Sequence, residues 1–245
     1  VGVSVMHVTK KDLLYSGKAK TLYSTDHDEY LIADFRDDTT AFDGIKKEAI
    51  QHKGKTNCAI SNKIMNFLSL HGIQTHFVAQ LSDHEIIVRK LTMLPLESVV
   101  RNMAAGSLCR RLGIAPKTKL TPPLFEFFYK NDALHDPLVT REHALAFGWA
   151  SAEQLNGMHD LSLRIHALLT TFFADHGMLL IDAKYEFGVN QFGEIILADE
   201  VSPDSCRIWD AETLEPLDKD RFRQDMGKVI ESYTEIARRI GCAGI

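Results

Sequence analysis

The sequence predicts an α+β fold arranged as two closely packed lobes. Short strands with one helix among them fill the first ninety residues, and longer helices with a hairpin fill the remainder. With 245 residues, 45% of them apolar, the chain can build a real core without metal or disulfide staples. The expected lobes are residues 1–92, rich in strands, and 93–245, of mixed helix and strand, with a hinge near Leu91 to Pro95.

Tyr15 to Tyr23 and Tyr30 to Phe35 have the aromatic and aliphatic content of strands, and Asp37 to Gly44 reads as a polar loop. From Asn57 to His71, Ile60, Ile64, Phe67 and Leu68 recur at helical spacing, with Gly72 placed to end the helix. Glu85 to Leu91 is the next strand. A helix is expected over Glu97 to Leu112, closed by Gly113, and then an irregular proline-rich stretch from Pro116 to Pro137. Ser151 to Gln154 fits a capping box opening a long helix, about Met158 to His176. Met178 to Phe187 and Glu194 to Val201 form a hairpin around Asn190 and Gly193, and a last helix spans Asp220 to Ile240 with Arg238 and Arg239 at its favourable end.

Composition excludes several functions. The four cysteines form no metal-binding cluster and are expected as reduced, buried thiols. No apolar run approaches the roughly 18 residues of a membrane helix, and no leader is recognisable at the start, so a cytoplasmic protein without a membrane partner is expected. A net charge of −5 argues against nucleic acid as a partner. An anionic ligand must therefore find local positive charge.

Such charge exists in short motifs. Lys18 and Lys20, in Gly17-Lys18-Ala19-Lys20, share one face if that segment is a strand, and two ammonium groups on one face can meet a polyphosphate. A solvated edge strand explains them equally well. Ala49 to Thr56 nearly forms a Walker phosphate loop, but Ala49 replaces the first glycine, and the Rossmann glycine pattern is missing. Lys90 emerges from an apolar strand on the face of Val88. In Leu179 to Phe187, strict alternation puts Leu179, Ile181, Ala183, Tyr185 and Phe187 on one face and Asp182, Lys184 and Glu186 on the other. Asp199 and Glu200 end the neighbouring strand, and carboxylates gathered there suit magnesium. If Glu186 and Asp199 serve one ion, hairpin partners should sum to an odd number, so that both face the same way. Arg101 and Arg110 flank Ala104 to Ser107, where backbone amides and the Ser107 hydroxyl can meet phosphate; Arg207 and Arg223 follow the hairpin.

Met93 to Ser107 (MLPLESVVRNMAAGS) and Leu180 to Gly188 (LIDAKYEFG) closely resemble the two signatures of the phosphoribosylaminoimidazole-succinocarboxamide synthase (SAICAR synthetase) family. GKAK at Gly17, FYKNDALHDP at Phe128, SPDSCRIW at Ser202 and DKDRFR at Asp218 match in family order, over nearly the whole chain. The resemblance implies an ATP cleft between the lobes, distantly similar to kinase and ATP-grasp architectures, with ATP bound in the first lobe and substrate and metal residues in the second. It implies ATP-dependent joining of L-aspartate to carboxyaminoimidazole ribonucleotide (CAIR), a purine-pathway step, with Mg²⁺ as cofactor, and it allows a homodimer. By motif, Lys18, Lys20, Lys90 and Lys130 would hold ATP, and Glu186 and Asp199 the magnesium. Arg101, Ser107, Arg207 and Arg223 would grip the ribonucleotide, with Asp182 and Lys184 near its reacting carboxylate and Lys184, Asp182 and Lys130 as the catalytic set. Aspartate is expected near the Asp37 to Gly44 loop and Ala104 to Ser107. Another ATP-dependent carboxylate–amine ligase, a small-molecule kinase or a silent nucleotide sensor would use similar residues.

Overall fold

A computed structural model describes residues 7–41 and 45–242. Strand β1 (Lys10–Ser16) turns into β2 (Lys20–Thr25) and β3 (Tyr30–Phe35), followed by a small hairpin of β4 (Asp38–Ala41) and β5 (Lys46–Ala49). Helix α1 (Lys53–Leu70) leads to β6 (Phe77–Gln80) and β7 (Glu85–Arg89), which complete an antiparallel sheet ordered β1-β2-β3-β7-β6. Next come β8 (Thr92–Met103), α2 (Ser107–Leu112), β9 (Lys119–Tyr129), β10 (Leu138–Val139), α3 (Arg141–Ala146) and α4 (Ala152–Asp175). The chain ends with β11 (Met178–Val189), β12 (Ile195–Ala198), β13 (Cys206–Asp210), α5 (Asp220–Arg223) and α6 (Val229–Arg239).

The second sheet, ordered β10-β9-β8-β11-β12, sets β8 and β11 at its centre. The far edge of β11 is shared, its first half pairing with β13 and its second half with β12. Ser151 caps α4 through a complete capping box with Gln154, as the sequence predicts. Leu155, Met158, Ile165, Leu169 and Phe173 on α4 pack with Leu180, Tyr185 and Phe187 of β11 and with Ile60, Ile64 and Leu68 of α1 in one buried cluster. This cluster crosses residue 92, because α1 packs beside α6. At the start of α1, an added Cβ at Gly54 would lie 2.5 Å from the Phe35 carbonyl oxygen, so only glycine lets the helix approach β3 this closely. The segment leading into β6 also pairs with β12, since the His76 amide donates to the Leu197 carbonyl at 2.8 Å and the Leu197 amide to that of Gln74 at 3.1 Å.

Several local expectations are corrected. Tyr15 to Tyr23 is two strands joined by a turn at Gly17, whose amide donates to the Lys20 carbonyl at 2.8 Å. Glu97 to Met103 is strand, not helix: Leu94, Leu96 and Val100 face the core while Glu97, Val99 and Arg101 face a cavity. That is a period of two, masked in the sequence by the fully buried Ser98. The proline-rich stretch contains the eleven-residue strand β9, and β13 was not anticipated. Part of the expected polar loop is β4; Phe42 to Gly44 lie outside the described residues. The last helix divides into α5 and α6, because Asp225, Gly227 and Lys228 all adopt left-handed backbone. All four cysteines are free; Cys58 and Cys206 are buried, Cys109 and Cys242 half-buried. No helix among the described residues is long and apolar enough to cross a membrane.

Candidate active site

A cavity of about 820 Å³ opens between the two sheets. Leu22, Leu31, Ala33, Ile86 and Val88 of the first sheet give it an apolar wall. Charged side chains of β8, β11 and the segments after β12 form the opposite wall. An apolar slot beside convergent charges suits a flat base carrying phosphates.

Strand β11 places three of the charges by alternation, though that alternation does not run unbroken from Leu179. A bulge between Leu180 and Asp182 resets the pleat. Leu180, Ala183, Tyr185 and Phe187 enter the main core, whereas Leu179 and Ile181 pack with Trp209 and Ala105 in a separate cluster. Asp182, Lys184 and Glu186 all line the cavity, as the motif predicts.

Asp182 lies directly opposite Arg101 on β8 and Arg207 on β13. It accepts from Arg101 Nη1 at 2.8 Å and from Arg207 Nη1 at 2.9 Å. Arg101 reaches Glu126 at 2.8 Å, and Arg207 reaches Asp220, which also holds Arg223 at 2.7 Å. Alternating charges thus run across five elements, β9, β8, β11, β13 and α5, and the arginines are fixed before any ligand arrives. Burial works against the Arg207 guanidinium, but Asp182 and Asp220 more than offset it and raise its pKa. Gly106, with φ +58°, packs so close to Arg207 that a Cβ there would lie 2.2 Å from Nη2.

The other end of the cavity carries lysines on carboxylates. Lys184 bridges Glu97 at 2.7 Å and Glu186 at 2.8 Å, and Lys130 also binds Glu186. Lys20 binds Asp199 and, at 2.9 Å, Glu200; Lys18 binds Asp132 at 2.9 Å. Burial opposes the Lys20 charge, yet Asp199 and Glu200 beside it hold its pKa above the ordinary lysine range. Arg36 braces the turn that carries Lys18 and Lys20, donating to Ser16 Oγ at 2.7 Å and to the Gly17 carbonyl at 2.6 Å. Neither this role nor the part played by Glu97, Glu126 and Asp220 was legible from the motifs.

The odd hairpin register is overturned. Glu186 pairs with Ala198 and Phe187 with Leu197, an even sum, which by alternation would turn Asp199 away from Glu186. Asp199 nonetheless lines the same cavity, because it lies one residue past β12 with φ +57°, and the left-handed turn breaks the pleat. Two other residues are not brought in. Lys90 is exposed just beyond β7 and does not line the cavity, because the strand ends at Arg89 and its alternation does not extend to residue 90. Ser107 opens α2 behind Gly106 and also lies off the cavity lining.

Among the described residues no three His, Cys, Asp or Glu side chains are grouped to enclose a metal ion. Magnesium needs no such cage, since one or two carboxylates and phosphate oxygens suffice, and Glu186 and Asp199 facing one cavity fit that donor set. The near-Walker segment is no phosphate loop here. Asp37 accepts from the amides of His52 at 3.1 Å and Gly54 at 2.9 Å, and Lys53 is fully buried on Asp204 at 2.7 Å.

The sequence model of the SAICAR synthetase family matches residues 13–240. The phosphoribosylaminoimidazole-succinocarboxamide synthase of Coxiella burnetii is 59% identical over 235 residues, covering 96% of this chain and 98% of that protein. The crystal structure of the corresponding synthase from Ehrlichia chaffeensis superposes with a TM-score of 0.93 at 41% identity, covering 96% of this chain and 100% of that one. A SAICAR synthetase solved in complex with ADP matches with a TM-score of 0.90 at 46% identity, covering 92% of this chain and 96% of that one.

Proposed function

Because this chain belongs to the SAICAR synthetase family of carbon–nitrogen ligases, we propose that it uses ATP to join L-aspartate to the carboxylate of carboxyaminoimidazole ribonucleotide. The products are SAICAR, ADP and phosphate. The observation that carries this reading is the meeting, in one cavity, of an arginine ladder centred on Asp182 with a lysine–carboxylate cluster centred on Glu186 and Asp199.

A carboxylate resists attack by an amine, so it must first be activated. In the proposed route a ribonucleotide carboxylate oxygen attacks the γ-phosphorus of ATP, and the bond to the β-bridging oxygen breaks to release ADP. The aspartate nitrogen then attacks the acyl phosphate carbon, phosphate leaves, and the nitrogen gives up its proton. Lys18, Lys20 and Lys130 orient the ATP phosphates, and Lys184 sits where charge builds on the transferring group. Arg207 and Arg223, held by Asp220 and Asp182, bind the ribonucleotide. Arg101, almost fully buried between Glu126 and Asp182, chiefly sets the position of Asp182. Lys90 and Ser107 are left out of this assignment.

Among the described residues, nine lysines and arginines line the cavity against eight carboxylates, a surplus of one positive charge for three anionic reactants. That balance supports a need for Mg²⁺, which Glu186 and Asp199 would hold and which would neutralise phosphate charge. With lobes divided near residue 92, ATP would lie chiefly against the first sheet. A coupled assay of ADP release, omitting each substrate in turn, tests the reading: release should require both the imidazole carboxylate and aspartate. ADP release with either one missing would point to a kinase or ATPase.

A further inference from the structure

We propose that Lys219 binds a carboxylate of L-aspartate, in a subsite between the β4–β5 hairpin and α5; this rests on the ligase reading above. Of the nine cations among the described residues that line the cavity, Lys18, Lys20, Arg101, Lys130, Lys184, Arg207 and Arg223 each already hold a carboxylate. Among the described residues only Arg89 and Lys219 line it without an ion pair. Arg89 is exposed at the end of β7, on the side of the apolar wall.

Lys219 is placed differently. Its amide donates to the Pro203 carbonyl at 3.1 Å and it precedes α5, so its backbone is fixed. Asp204 and Glu200 attract its ammonium, while Arg223 and Lys53 repel it. Neither acid is free to pair with it. Asp204 is engaged by Lys53 at 2.7 Å and by the Tyr233 hydroxyl at 2.6 Å, and Glu200 by Lys20 and Ser202. Burial consequently lowers the Lys219 pKa. A carboxylate entering the cavity would supply the counter-charge that the protein withholds.

The position selects which reactant supplies it. Glu200 links this region to the lysine–carboxylate cluster assigned to ATP, and Arg223 links it to the ladder assigned to the ribonucleotide. Aspartate must attack between those two groups. Thr40 and Ala41 of the β4–β5 hairpin line the same cavity. Lys46 of that hairpin binds the Phe222 carbonyl and, at 2.6 Å, Asp225, which pins the hairpin beside α5. Aspartate brings two carboxylates, and among the described residues Lys219 is the cation left uncommitted beside the reaction centre.

Steady-state ADP release by Lys219→Met and Lys219→Arg, with each substrate varied in turn, tests this. Lys219→Met should raise the KM for aspartate about ten- to a hundredfold, the loss of one charge-assisted contact, and leave the KM for ATP and for the ribonucleotide within about twofold. Succinate, which keeps both carboxylates but lacks the amine, should lose potency as a competitor of aspartate in parallel, and Lys219→Arg should recover most of the loss. A comparable rise in the KM for ribonucleotide or ATP, or a fall in kcat alone, would overturn the assignment. Thermal melting of both variants checks folding; if Lys219→Met does not fold, the same comparison on Lys219→Gln decides. A wild-type enzyme releasing ADP without aspartate would instead sink the ligase reading itself.

Discussion

Glu186 and Asp199 approach the cavity from different strands by different means, one through the pleat of β11 and the other through a left-handed residue past β12. If both hold the metal, Glu186→Gln and Asp199→Asn should each suppress ADP formation strongly while ribonucleotide binding stays measurable by calorimetry. Near-normal turnover in either at moderate magnesium would place the essential ligands elsewhere. The arginines divide by burial. Arg207→Ala should weaken ribonucleotide binding about ten- to a hundredfold with little effect on ADP affinity. Arg101→Ala should also destabilise the fold by about 1.5–3 kcal/mol, since Asp182 keeps Arg207 and Glu126 keeps Arg111 but each loses a buried charge-assisted hydrogen bond. Urea unfolding separates the two cases, and equal stability losses would contradict this division.

At the scale of elements, the position of Arg207 depends on a loop from another part of the sheet. Gly106 combines left-handed backbone with the 2.2 Å approach to the Arg207 guanidinium, so Gly106→Ala must displace one or the other. We expect a ribonucleotide affinity reduced at least tenfold with nucleotide binding retained, read by titrating each ligand. Unchanged ribonucleotide affinity would mean that Arg207 does not need this packing. The hairpin β11–β12 and the helix α4 were legible because each has a strong local signal: an Asn190–Gly193 turn between apolar runs and a capping box before an apolar stripe. Strand β8 was not. Its core face holds Ser98 and its other face holds Val99, so neither face is uniform, and only pairing with β9 and β11 makes it a strand.

For the whole molecule, two buried histidines predict a pH response. Burial lowers His76 and His166 to about 4. Their folded pKa lies below the unfolded value near 6.5, so the unfolded chain takes up protons first as pH falls. The stability they contribute is present above pH 6.5 and is lost on the way down to about 4, on the order of 3 kcal/mol for each. Asp218, raised to about 7 by burial and by Asp220, acts with the opposite sign, losing its contribution as pH climbs from about 4 to 7. Urea midpoints at pH 7, 5.5 and 4.5 should show a smaller acid-side loss for His166→Gln than for the wild type; parallel curves would exclude this source. The net charge of −5 and the nearly balanced cavity also predict no retention on a DNA column at physiological ionic strength.

The residues alone determined the α+β class, the long capped helix, the hairpin and the family, because these rest on periodicity, capping and contiguous motifs, all of which are local. Tertiary structure decided which charged residues share the cavity. Lys90 and Ser107 fall outside it, while Glu97, Asp204 and Lys219, which the motifs did not single out for the site, fall inside. It also decided the faces of β11 and the direction of Asp199, through a bulge and one left-handed residue. The physical reason is that strand alternation is cumulative: a single irregular residue reverses every later side chain, and only the pairing of neighbouring strands shows where that residue lies.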